Sequence, residues 1–459
     1  MVDLPSGFKE IELIVLDMDG VITSEEAYWD AAGLVVQDLL ESPAFLGLNL
    51  PHFTPISAVY YRRLAGESRS QWRKYLPPDL ILNCKARGIN SNWDLAYLTA
   101  GLYLAPLFSL PLLRLAADFG PRRDSDDPPL SIHSQTMDEM PEENISDEKR
   151  NVDETLKEHL SPVWEELRKK VKKGEWSSFL RRNHFHLWGS YFRKQGRTLA
   201  PVKNAVRRII DDFHPDIRGL RLLDELNTLL PEPMTHRWNV FGRKTELWED
   251  CRDLFQGWYL GEELYARTYG HPLLYSPKLG LVHREEPLHG RVKTHACLSR
   301  LRETGFHLGI ATGRPRMEIV IPLTQWNMIG FFDGNRIITH DEVETAEAEL
   351  KRQGIDQNLG KPHPYAFLQA VFPEQKIGDL ARDNFQLPEA RKVLVVGDAP
   401  ADIWAAQKLG CPCVALLSGA IGSTGRKQLE EAGPDVICRD VLELSESMIS
   451  LRKYYGKNG

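Results

Sequence analysis

The chain has 459 residues, 42% hydrophobic and 26% charged, values of a soluble globular protein rather than a disordered, collagen-like or coiled-coil one. At about 150 residues per domain, that length implies two or three structural units. Lys and Arg number 57 against 64 Asp and Glu, a net charge of −7, which argues against nucleic acid as the main partner but leaves room for a small anion held by local cations.

At the N-terminus, MVDLPSGFKEIELIV lacks a basic segment followed by an apolar stretch and a small-residue cleavage site, so no secretory signal is expected and the cytoplasm is the expected location. Ile11 to Leu16 (IELIVL) is nearly continuous in apolar residues, the pattern of a parallel strand covered on both faces. From about Tyr28 to Glu285 helical patterns dominate. Leu95 to Leu113 carries no charge and is about as long as a bilayer-spanning helix, but Pro106 and Pro111 break it, so a buried helical hairpin is expected and no membrane partner. Residues 121–151 are acidic, contain Pro and Ser and have few large apolar residues, as a mobile loop would. Ser161 to Lys173 reads as a helix with both ends marked: Ser161 as N-cap, Pro162 after it, glutamates early, lysines late and Gly174 just beyond. Trp176 to Arg197 interleaves aromatics with cations such as Arg181 and Arg182. Read as function, this is a pocket wall for an anionic or aromatic group; read as structure, the better fit, it is an amphipathic helix. His184 and His186, two residues apart, do not share a helix face and so make no metal pair.

Strand patterns return at His307 to Ala311, Val393 to Val396 and Cys413 to Leu417, each followed by turn residues. Pro400 and Gly410 bracket a helix between the last two, completing a βαβ unit. A gap so much longer than a crossover requires means that one domain is inserted into another. The expected architecture is a doubly wound, mostly parallel α/β core of residues 1–27 and 286–459, with a helical insertion at 28–285. The six cysteines lack paired CxxC spacing and read as reduced thiols, with Cys411 and Cys413 as packing residues.

Asp17 and Asp19 follow the first strand in LDMDGV, Thr312 the second in ATGR, and Asp398 the third in GDAPAD; Lys361 stands in GKPHPYAF, where two prolines shape a turn into a helix. Ligands of open α/β sheets bind outside the carboxyl ends of the strands, so these groups should converge. In this order, LDMDGV, ATGR, GKP and GDAPAD resemble the four motifs of the haloacid dehalogenase superfamily, in its phosphatase branch, over about 200 residues of core. The inserted segment resembles, in its position after the first strand, the superfamily's helical cap.

The resemblance implies a Mg²⁺-dependent phosphatase working on a small phosphorylated metabolite. Asp17 would be the nucleophile and Asp19 the general acid and base. Mg²⁺ would be held by Asp17, the main-chain carbonyl of Asp19 and Asp398, with Asp402 supporting that shell through waters. Thr312, the Gly313 and Arg314 amides and Lys361 would bind the phosphoryl group. An acid at position 19 sets aside the dehalogenase and ATPase members and leaves a phosphatase or a phosphomutase; a partner-binding protein built on the same core is the reading from another class. Ser24 departs from the superfamily's common pattern, so no hinge or substrate contact is transferred there. His363, close to Lys361, reads as a bystander. Neither the substrate nor the oligomeric state is legible in the sequence.

Overall fold

The computed structural model describes residues 2–48, 73–89, 91–119, 206, 213–214, 216–219, 221–229, 241–242, 245–273, 278, 280–375, 377–381, 387–419 and 422–456. The expected acidic loop at 121–151, the helix at 161–173 and the aromatic and basic segment at 176–197, with its two histidines, lie outside these residues.

Two compact units divide the chain: Met1–Ala31 with Gly257–Gly459, and Ala32–Gln256. The first contains one six-stranded sheet built from β1 (Leu13–Leu16), β2 (His307–Ala311), β3 (Ile337–Ile338), β4 (Val393–Gly397), β5 (Cys413–Leu416) and β6 (Val436–Cys438). Their order is β3-β2-β1-β4-β5-β6, and every pairing is parallel. In register, Leu16 of β1 stands beside Ile310 of β2 and Val396 of β4.

Successive strand residues point to opposite faces, and both faces are buried, which is why these strands read as unbroken apolar runs. Ile14, Leu16, Leu308, Ile310, Leu394 and Val396 enter one core together with residues of the helices Arg291–Glu303 and Val441–Gly456. Leu13, Val15, Val393, Val395, Cys413 and Ala415 enter the other, with the helices His340–Arg352, Tyr365–Val371 and Pro400–Leu409. Each Leu, Ile or Val among them contributes about 1.5–3 kcal/mol on full burial. The result is the doubly wound α/β sandwich the sequence implies. Sequence position matters locally as well: Pro400 opens its helix, and Gly410, left-handed at φ 69°, closes it. All six cysteines are buried free thiols.

In the second unit the expected hairpin is replaced by one continuous helix, Asn92–Phe119. A proline removes one main-chain hydrogen bond without forbidding a helix, and Leu95, Tyr97, Leu98, Leu102, Leu104 and Leu107 are buried along this one, which offsets that loss. Asp94 accepts the Trp248 indole N–H at 2.8 Å, and Glu41 takes Lys74 at 2.6 Å and the Tyr75 hydroxyl at 2.6 Å, so both of these buried carboxylates have donors. Among the described residues no helix is long and apolar enough to cross a membrane.

Candidate active site

β1 lies between β2 and β4, where the strand order reverses, and the crevice at such a point is where open α/β sheets bind ligands. Asp17 continues β1, its amide donating to the Val396 carbonyl at 2.9 Å. Thr312 continues β2 and is buried, its amide bonded to the Ile338 carbonyl at 3.0 Å. Asp398 continues β4, and Asp402 follows on the first turn of the helix Pro400–Leu409, its carboxylate accepting the Ala399 amide at 3.3 Å.

One carboxylate oxygen from each of Asp17, Asp398 and Asp402 lies within 4.8 Å of the others. The loops make room for them with glycine. A Cβ on Gly20, which is left-handed at φ 68°, or on Gly419 would collide with the Asp398 carboxylate, and one on Gly397 would collide with Asp402. Ser418 ties the loops together, its hydroxyl donating to the Gly20 carbonyl at 2.6 Å.

Lys361 places its ammonium 3.1 Å from Asp17 Oδ1 and 2.7 Å from Asp402 Oδ1. Burial lifts the Asp17 carboxyl to about 7 against the pull of Lys361, with the Asp402 and Asp19 charges adding to the rise. Although part of Asp398 reaches solvent, the surrounding protein and then the charges of Asp17, Asp402, Glu25 and Asp19 push it well above the usual carboxylate range. Lys361 is displaced upward by the two carboxylates, which outweigh its own burial. Three carboxylates and one ammonium leave two negative charges to be balanced, and Asp17 Oδ1 and Asp402 Oδ1 are buried without an aligned hydrogen bond. An all-oxygen donor set with that deficit suits a hard divalent cation such as Mg²⁺.

The structure places Arg314 differently from the expectation that its amide faces an anion. That amide lies 3.3 Å from Thr312 Oγ1, while the guanidinium, 2% exposed, runs into the interior. Nε sits 3.1 Å from both oxygens of Asp19, and Nη2 donates to Asp19 Oδ1 and to Thr23 Oγ1 at 3.0 Å. Nη1 donates to both oxygens of Glu285 at 2.9 Å and to the Tyr259 hydroxyl at 3.1 Å. Tyr28 lies under the guanidinium at 4.2 Å and stacks on Tyr259. Burial raises the Glu285 carboxyl, opposed by Arg314. Gly313 is exposed. His363 Nδ1 accepts the Tyr365 amide at 3.2 Å, a helix-end contact. Glu285, Tyr259 and Tyr28 were not among the sequence candidates; LDMDGV and ATGR carry no trace of partners so distant in the chain.

A model of the HAD-hydrolase-like family matches residues 358–444, a span that includes Lys361, Asp398 and Asp402. An X-ray structure of a Northeast Structural Genomics Consortium target aligns over 97% of this chain and 100% of its own, at 21% identity and a TM-score of 0.63; at that identity the likeness speaks for the fold. A hydrolase from Pseudomonas syringae is 22% identical over 50% of this chain and 76% of its own, with a TM-score of 0.30. A predicted phosphoglycolate phosphatase from Haemophilus somnus is 15% identical over 49% and 76%, with a TM-score of 0.27. No curated protein matches. The four motif segments stand at one end of a parallel sheet and the family match runs across two of them, so over residues 358–444 this chain is similar to hydrolases of the haloacid dehalogenase superfamily.

Proposed function

We propose that this chain is a Mg²⁺-dependent phosphatase that hydrolyses a small phosphorylated metabolite through an aspartyl-phosphate. The observation that carries the reading is the grouping of Asp17 with Lys361 and with the Asp398 and Asp402 carboxylates at the sheet's switch point. A phosphate monoester repels an anionic nucleophile, so the attacking carboxylate needs fixed positive charge beside it. Lys361 supplies one such charge at 3.1 Å from Asp17. Asp17, Asp398 and the main-chain carbonyl of Asp19 would hold Mg²⁺, with Asp402 behind them, and the ion would add the charge neutralisation the phosphoryl oxygens require.

Asp17 attacks phosphorus as the bond to the leaving alkoxide breaks, and Asp19 gives that alkoxide a proton. Water then attacks the phosphorus of phospho-Asp17, Asp19 takes the water's proton, and phosphate and the free carboxylate result. Thr312 and the neighbouring Gly313 amide are the phosphoryl hydrogen-bond donors in this reading. The test is a panel of phosphate monoesters assayed with Mg²⁺, followed by acid quench with phosphorus-labelled substrate. Wild type is expected to release phosphate and carry label, whereas Asp17→Asn is expected to do neither. Turnover without label that survives Asp17→Asn would replace the covalent route by direct attack of water.

A further inference from the structure

All five N–H donors of Arg314 are spent inside the protein, on Asp19, Thr23, Glu285 and Tyr259, so this side chain has none to offer a substrate. The fork meets Asp19 unevenly. Oδ1 takes the Nη2 hydrogen bond and a share of Nε, and lies 3.3 Å from the Thr23 hydroxyl, while Oδ2 shares only Nε at 3.1 Å. Glu285, 3% exposed, and Tyr259, fully buried, fix the far side of the guanidinium, and Tyr28 fixes its face. Asp19 itself keeps 20% of its side chain exposed.

Resting on the phosphatase reading, we propose that Arg314 is a positioning residue, anchoring Oδ1 of Asp19 so that Oδ2 alone exchanges the proton with the reacting oxygens. A proton on Oδ2 leaves Oδ1 an acceptor, so the Arg314 contact persists in both protonation states. As the Asp17–phosphorus bond forms and the bond to the alkoxide breaks, Oδ2 gives up its proton to the alkoxide; as water attacks phospho-Asp17, Oδ2 takes one back. Glu285 and Tyr259 act one step further out, by holding the guanidinium that holds Asp19.

Lysine keeps the charge of Arg314 but is a point donor without the fork. The readout is leaving-group dependence, because an alkoxide needs the proton and p-nitrophenolate hardly does. Arg314→Lys is expected to lose ~10²-fold in kcat on glycerol phosphate and less than ~10-fold on p-nitrophenyl phosphate, with KM changed by less than ~3-fold. Tyr259→Phe deletes one hydroxyl and is the variant that decides should Arg314→Lys not fold; it is expected to show the same skew at ~3–10-fold. Folding of each is checked by thermal melting. Equal losses on both esters in folded variants, or no loss on either, would overturn the inference. Asp19→Asn, measured alongside, separates the two layers. If it shows the skew and the Arg314 and Tyr259 variants do not, only the positioning role falls; if wild type hydrolyses neither ester, the phosphatase reading falls first.

Discussion

The carboxylates of this site are crowded against main chain, so single atoms decide whether it can form. Gly20 is the sharpest case: its φ of 68° already disfavours a side chain, and a Cβ there would strike Asp398 and lie 2.7 Å from the Gly419 Cα. Gly419 is main chain and cannot swing aside, so the Asp398 carboxylate is the group that must move. Gly20→Ala should therefore displace Asp398 and weaken Mg²⁺ binding, measured by calorimetric titration, by at least ~10-fold, the size of effect that misplacing a metal ligand's support produces. Gly330 is the control, since a Cβ there meets nothing within 4 Å and its φ is unexceptional; Gly330→Ala should leave the titration unchanged. Equal effects at the two glycines would mean that Asp398 moves freely and that the close approach has no bearing on the metal. Asp19→Asn belongs to the same scale: it keeps the size of the side chain but not its proton transfer, so kcat on an alkyl phosphate should fall by ~10²–10⁴-fold.

Among elements, β1 carries the most, because it is flanked by β2 and β4 and sends side chains into both cores. Ile14 is 1% exposed, and Ile14→Ala should cost about 2–5 kcal/mol in urea unfolding, from lost transfer energy and the cavity left behind. Val292, 84% exposed on the helix Arg291–Glu303, should tolerate Ala within about 0.5 kcal/mol. The same burial explains what was legible. β1, β2, β4 and β5 are covered on both faces and so write unbroken apolar runs into the sequence, whereas β3 and β6, at two and three residues, are too short to write any pattern. The helix Asn92–Phe119 is not legible as one element because proline is a local signal and burial along a helix is not. At the site, Asp17, Asp398, Asp402 and Lys361 stand in short motifs next to strand ends. The partners of Arg314 do not: 295 residues separate it from Asp19, 55 from Tyr259 and 29 from Glu285, and nothing local in ATGR distinguishes a guanidinium that turns inward from one facing an anion.

At the scale of the whole molecule, the chain leaves the sheet unit after Ala31 and returns to it at Gly257, so Tyr259 and Glu285, which the sequence reading assigned to the insertion, belong to the unit that contains the site. That unit folds around carboxylates whose charge it disfavours, and the consequence is a stability that depends on pH and on metal together. Asp17 rises from 3.8 to about 7 in the folded protein, and Asp398 moves the same way. Between those limits the folded state binds protons that the unfolded chain has released, so for these groups stability is greatest in acid and is lost as the pH rises toward 7. A divalent cation bound as proposed would act oppositely, since it would take the ionised carboxylates and stabilise the folded state by mass action. In EDTA, the melting temperature of wild type should fall from about pH 5 to about pH 8 more steeply than that of Asp17→Asn, whose side chain does not titrate. Millimolar Mg²⁺ should raise the wild-type melting temperature at the higher pH and hardly at the lower, since protons hold the ligand oxygens there. A Mg²⁺ shift of the same size at both pH values would show that these carboxylates are already ionised without the metal, and the charge deficit invoked here would then be met by the protein alone.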